Sequence, residues 1–109
     1  MLDAGCGSAY YAEILDFFWP GGTSYVGADY NPGMLAEARS YYPELSLVRM
    51  DLRYLAVREE SFDVVLSGAA IVNIEKWETV VRELARATRR WLLLHRTLVY
   101  TDGRSTSVK

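Results

Sequence analysis

Leu2-Asp3-Ala4-Gly5-Cys6-Gly7-Ser8-Ala9 decides how the fold of this sequence is read. A short apolar run, the end of a strand, closes on an acid, and two glycines separated by one residue follow. Glycine suits a backbone that must turn sharply and let a ligand come close without a Cβ in the way. Just beyond, Tyr11, Ile14, Leu15 and Phe18 recur at helical spacing and predict a helix over 9–18. The unpaired N–H groups at the start of that helix open onto the same turn. The turn departs from the dinucleotide fingerprint, which needs a third glycine where Tyr10 stands. The acid two residues before Gly5 suits a ligand carrying an ammonium group better than one carrying a pyrophosphate.

Working outward, Pro20-Gly21-Gly22 ends the first helix, and 24–29 reads as a second strand. Asn31-Pro32 supplies an N-cap and a favoured first residue for a helix over 31–40. Further strands are expected at 45–50, 62–67 and 91–95, and an amphipathic helix at 76–90. The apolar stripe of that helix is Trp77, Val80, Val81, Leu84, Ala85 and Thr88, with arginines opposite. Apolar strands alternating with helices imply an α/β fold, a parallel sheet covered on both faces. The segment 1–100 reads as one domain, and 101–109 as a polar tail without a pattern.

Asp29 ends the second strand, where a carboxylate can accept both hydrogen bonds of a ribose diol. Asp51 ends the third and is followed by apolar Leu52, a pairing suited to an adenine amine and its ring face. Taken singly, each acid reads more readily as an ordinary turn aspartate. In register with the glycine turn they converge on one crevice at the carboxyl ends of the strands, where open α/β sheets bind ligands.

The 109 residues are enough for one core, half of them are apolar, and the formal charge is −2. No basic patch fits nucleic acid; Arg82, Arg86, Arg89 and Arg90 fall at helical spacing and read as a solvated face. One cysteine makes no internal disulfide, no apolar run spans a membrane, and no metal-ligand cluster is apparent. A cytoplasmic protein is the default expectation.

The sequence from residue 2 to 8 resembles the first motif of class I S-adenosylmethionine-dependent methyltransferases. Val26-Gly27-Ala28-Asp29-Tyr30-Asn31 is similar to their second motif, Met50-Asp51-Leu52 to their third, and Phe62-Asp63-Val64-Val65-Leu66-Ser67-Gly68 to their fourth strand. The resemblance implies a Rossmann-like sheet in strand order 3-2-1-4-5 and S-adenosylmethionine as cofactor. It further implies that Asp3, Gly5, Cys6 and Gly7 lie against the methionine portion. Asp29 and Tyr30 would hold the ribose, with Met34 near the adenine. Asp51 and the Leu52 backbone would read the adenine, and Ser67 and Gly68 would flank the sulfonium. The strand order is sterically feasible: the step from the third strand to the fourth is a diagonal of roughly 22 Å, and the connection extends to about 36 Å.

Ala9 departs from the family's third glycine and is strained if it needs a positive φ. Few apolar residues precede Asp3, and the usual sixth and seventh strands are missing, leaving 91–95 as an exposed apolar edge. A fragment of a longer protein is the favoured expectation; an oligomer or second chain covering that edge is the alternative. His95, the only histidine, reads as structural before it reads as a base. Cys6 has a backbone role before a nucleophilic one; Tyr11 belongs to the apolar stripe of the first helix, and Tyr10 reads as core or surface packing before it reads as facing the substrate. Asn73 stands where many relatives carry a histidine. The expected activity is methyl transfer to a small molecule, without nucleic acid or membrane. A non-catalytic nucleotide-binding or assembly module is the alternative, and a nicotinamide oxidoreductase a distant third.

Overall fold

The computed structural model describes residues 1–21, 24–68, 74–95, 97–101 and 104–108. Five parallel strands make one sheet: β1 (Leu2–Ala4), β2 (Val26–Asp29), β3 (Ser46–Arg49), β4 (Phe62–Gly68) and β5 (Thr88–His95). Their order is β3-β2-β1-β4-β5, as expected. The helices are α1 (Tyr10–Phe18), α2 (Pro32–Tyr41) and α3 (Trp77–Ala87).

Alternation along β1 explains how the faces are filled. Leu2 and Ala4 point to the side covered by α3, packing with Val65, Val80, Leu84 and Ala87. Asp3 points to the other side, where Ala9, Ala12 and Ala38 bring α1 and α2 close to the sheet. The buried residue of α1 is therefore an alanine, Ala12. Phe18, expected in its apolar stripe, is exposed together with Phe17. Asn31 caps α2 as expected, its side chain accepting from the Gly33 and Met34 N–H groups.

The third helix ends earlier than its periodicity predicts. Ala87 is its last residue, and Thr88 turns extended while its hydroxyl bonds the Leu84 carbonyl. Thr88, Arg89 and Arg90 are thus strand residues, because β-branched Thr88 opens the pairing of β5 with β4 at Phe62. Arg86 is no solvated residue either. Its guanidinium donates to the carbonyls of Leu55 and Val57 and bridges Glu83. Glu83 in turn accepts the Leu55 N–H, so α3 pins the connection that carries the chain from β3 to β4.

Beyond β5, β6 (Thr97–Thr101) and β7 (Arg104–Val108) pair antiparallel in a separate sheet. The pattern-free reading of 101–109 missed this ladder. The overlooked signal is the run of β-branched residues, Thr97, Val99, Thr101, Thr106 and Val108. The edge strand β5 presents Trp91 and Leu93 to solvent.

Candidate functional site

The carboxyl ends of the strands form one rim. Register places Asp29 opposite Arg49, and Gly68 opposite His95. At the centre of the rim, the chain leaves β1 through Gly5 (φ 81) and Gly7 (φ 55). The N–H groups of Gly5 and Cys6 both donate to the Ala28 carbonyl, which draws the turn over the end of β2. The Gly7 N–H donates to Asp29 Oδ2 at 2.9 Å, and the Asn31 N–H to Asp29 Oδ1 at 2.9 Å. Asp29 thus clamps the turn on one side and starts α2 on the other. Each of its oxygens keeps a lone pair for a ligand hydroxyl. Ala9 follows at φ 67, so the position the family gives to glycine is left-handed in this chain.

Asp3 is buried beneath the turn instead of lining its mouth. Its Oδ2 accepts the Tyr25 hydroxyl, and Oδ1 has no hydrogen-bond partner within the protein. Burial pushes its pKa up to about 6, against the opposing effect of the Tyr25 bond; nearby Asp29 adds to the rise. On the neighbouring strand, Ser67 is also buried, and its hydroxyl likewise lacks a partner within the protein. Two such orphans each cost about 1–3 kcal/mol unless a ligand or water supplies a bond. They point to opposite faces: Asp3 pairs with Leu66, so Ser67, the next residue of β4, shares the face of Ala4 and Val65.

Cys6 is buried, and burial with the adjacent carboxylates raises its thiol to about 12. The helix N-terminus does not make it a thiolate. Its side chain fills the space over Gly27, where a Cβ would come within 3.0 Å of Sγ.

Met34 reaches from α2 to the turn, its Cε 3.2 Å from where a Cβ on Gly7 would lie. Tyr30 is exposed, with the Arg49 guanidinium stacked 4.6 Å from its ring centre and donating to its carbonyl. The sequence reading missed Arg49, which only the register with Asp29 reveals. Asp51 lies on the same side, but both its oxygens are held by Arg53, at 3.1 Å and 2.8 Å. These bonds hold its carboxyl below the usual range. The Leu52 side chain is in the core, so only its backbone remains for an adenine ring.

Gly68 closes the other side of the rim. Tyr11 lies directly over it, and the Tyr11 hydroxyl is 2.6 Å from His95 Nδ1. Tyr11, placed in the apolar stripe by spacing, is therefore the tyrosine that faces this rim; Tyr10 is exposed. Ile74 packs against the core, and Asn73 lies outside the described residues. A separate cavity of about 270 Å³ opens between α1 and the start of β3, lined by Trp19, Tyr25, Tyr42, Glu13, Asp16 and Glu44. None of the rim's glycines or strand-end acids lines it. Among the described residues no cluster of His, Cys, Asp or Glu could hold a metal, and no helix is long and apolar enough to cross a membrane.

The profile of the methyltransferase-domain family matches residues 2–91. A Mycobacterium tuberculosis protein described as a probable S-adenosylmethionine-dependent methyltransferase is 30% identical over 112 residues. That match covers 99% of this chain and 40% of the relative, so the chain spans about two-fifths of that protein's length. Trans-aconitate 2-methyltransferase of Escherichia coli is 35% identical over 71 residues, 65% of this chain and 27% of that enzyme. A Pyrococcus horikoshii protein superposes with a TM-score of 0.76 at 26% identity, over 85% of this chain and 46% of that one. The methyltransferase solved in complex with the Trm112 activator of Haloferax volcanii superposes at 0.71 with 28% identity, over 81% of this chain and 39% of that one.

Proposed function

Since the chain belongs to the methyltransferase-domain family, we propose that it forms the S-adenosylmethionine-binding core of an enzyme that methylates a small molecule. The observation that carries this reading is the Gly5–Gly7 turn, held by Asp29 on the central strands of a 3-2-1-4-5 parallel sheet. The residues fit the cofactor. The unpartnered Asp3 Oδ1 lies beneath the turn for the ammonium end, through bridging water where the ligand does not reach it. Asp29 and Tyr30 meet the ribose, with Met34, Asp51 and the Leu52 backbone around the adenine. Ser67 and Gly68 border the sulfonium.

The bound donor supplies an activated methyl group, so the protein's task is to align it with the acceptor and exclude water. Asp29 fixes the turn before the ligand arrives, which lowers the ordering cost of binding. The small acid named for the Escherichia coli relatives supports a small-molecule acceptor here. Exposed Trp91 and Leu93 on β5 are suited to cover by further strands of the same polypeptide or by a second chain. The lone buried thiol accords with a cytoplasmic setting.

Calorimetry with S-adenosylhomocysteine tests the reading, with NADH as the control ligand. Saturable binding of the first and none of the second is expected; no heat at millimolar S-adenosylhomocysteine would sink it. A module that binds the cofactor without transferring methyl is the second reading, favoured by left-handed Ala9. Tight binding with no turnover on any acceptor would select it.

A further inference from the structure

We propose that Tyr11 and His95 form a proton-accepting pair beside Gly68, and that the acceptor methylated there is a neutral hydroxyl compound. The inference rests on the reading that Ser67 and Gly68 border the donor methyl.

Three elements converge to build the pair. Tyr11 comes from the first turn of α1, just past the glycine turn. Its ring lies over Gly68, where a Cβ would stand 2.7 Å from Cε2 and 2.8 Å from the hydroxyl oxygen. Only glycine at the end of β4 leaves room for the tyrosine to reach β5. There the hydroxyl meets His95 Nδ1 at 2.6 Å, with the rings edge to face. The ring of Tyr10 packs edge-on against Tyr11, centroids 5.9 Å apart. His95 is exposed, so its imidazole can exchange protons with solvent.

With the Tyr11 O–H donating to Nδ1, its oxygen keeps lone pairs that can accept a hydrogen bond. A carboxylate acceptor is already ionised at neutral pH and needs no base. A neutral amine attacks with its own lone pair and sheds its proton afterwards. A hydroxyl is a weak nucleophile and gains most from losing its proton as it attacks. In that step the acceptor's proton passes to the Tyr11 oxygen while the Tyr11 proton passes to His95 Nδ1. The acceptor oxygen forms the new O–C bond, and the C–S bond breaks with its electron pair left on sulfur. The imidazolium then loses its proton to water, so charge and atoms balance.

Because His95 is the only histidine, its ring nitrogens give an unambiguous ¹⁵N signal. In the wild type the spectrum is expected to show Nδ1 unprotonated and Nε2 carrying the hydrogen, and S-adenosylhomocysteine is expected to shift both. Tyr11→Phe keeps the ring over Gly68 and is expected to bind S-adenosylhomocysteine as the wild type does. Its turnover on a panel of alcohols and phenols, followed with methyl-labelled donor, is expected to fall about 100-fold. His95→Gln gives the same split between binding and turnover. The proposal is overturned by a protonated Nδ1, by equal turnover in Tyr11→Phe, or by a panel in which no hydroxyl compound is methylated. Failure of the wild type to bind S-adenosylhomocysteine overturns the underlying reading instead, and calorimetry reports that separately.

Discussion

Asp29 holds the Gly7 N–H at 2.9 Å across 22 residues of sequence, joining the end of β2 to the turn that follows β1. The same carboxylate accepts the Asn31 N–H, so two backbone donors depend on one side chain. The consequence is structural before any ligand binds. Asp29→Ala is expected to cost about 1–3 kcal/mol of stability in the free protein, the range for losing charge-assisted hydrogen bonds. Affinity for S-adenosylhomocysteine should fall by a similar amount. Urea unfolding without ligand separates the two effects. A variant as stable as wild type that binds weakly would make Asp29 a ligand contact only.

Ala9 occupies left-handed space at φ 67 with its side chain fully buried. That conformation costs a residue with a Cβ about 1–2 kcal/mol. Ala9→Gly relieves the strain but frees the unfolded chain and loses a buried methyl worth about 0.8 kcal/mol. The net change is expected to stay within about 1 kcal/mol. Ala9→Val adds a β-branch that left-handed space disfavours and volume the site lacks, so a loss above about 2 kcal/mol is expected. Equal stability of the two variants would remove the argument from backbone strain.

The sheet order was legible because it depends on features that sequence carries directly: strand runs, helix stripes and the glycines. Asn31-Pro32 marked the start of α2 for the same reason. What stayed hidden depends on contacts between distant residues. Nothing local to Asp3 announces that Tyr25 will cover one of its oxygens and burial the other. Asp51 looked free because its neighbour Arg53 folds back on it only through a turn of the backbone. Periodicity assigned Tyr11 to the core because it registers spacing, and it cannot see that Gly68 leaves a gap for the ring.

Burying Asp3 gives stability a pH dependence of known sign. Its folded pKa is about 6 against an ordinary 3.8. Below the ordinary value both states hold the proton, and the group contributes no difference. Between about pH 4 and 6 the unfolded chain ionises first, so stability falls as pH rises, and the penalty persists at neutrality. A rise of about two units corresponds to about 3 kcal/mol. Asp3→Asn is expected to recover about 1–3 kcal/mol at pH 7 and to flatten the wild-type decline over that window. Urea unfolding of both proteins at pH 4 and pH 7 checks this. A variant less stable than wild type at pH 7 would mean that the Tyr25 bond outweighs the buried charge.

Gly27 and Gly68 both exclude a Cβ, but for different physical reasons. At Gly27 the added atom would meet Leu47, Cys6 and Tyr25 within 2.9–3.1 Å, three side chains packed on one face of the sheet. Relief there must come from several neighbours, and Gly27→Ala is expected to cost about 1–3 kcal/mol. At Gly68 the contacts belong to the far end of Tyr11, which can swing away. Alanine in a strand also recovers about 0.5–1 kcal/mol of backbone entropy relative to glycine. Gly68→Ala should therefore fold with nearly wild-type stability while losing the Tyr11–His95 hydrogen bond. Thermal unfolding measures the first effect and the His95 ¹⁵N spectrum the second. Equal destabilisation by both alanines would show Tyr11 held as rigidly as the core, and the rim beside Gly68 would then have no freedom to adjust to an acceptor.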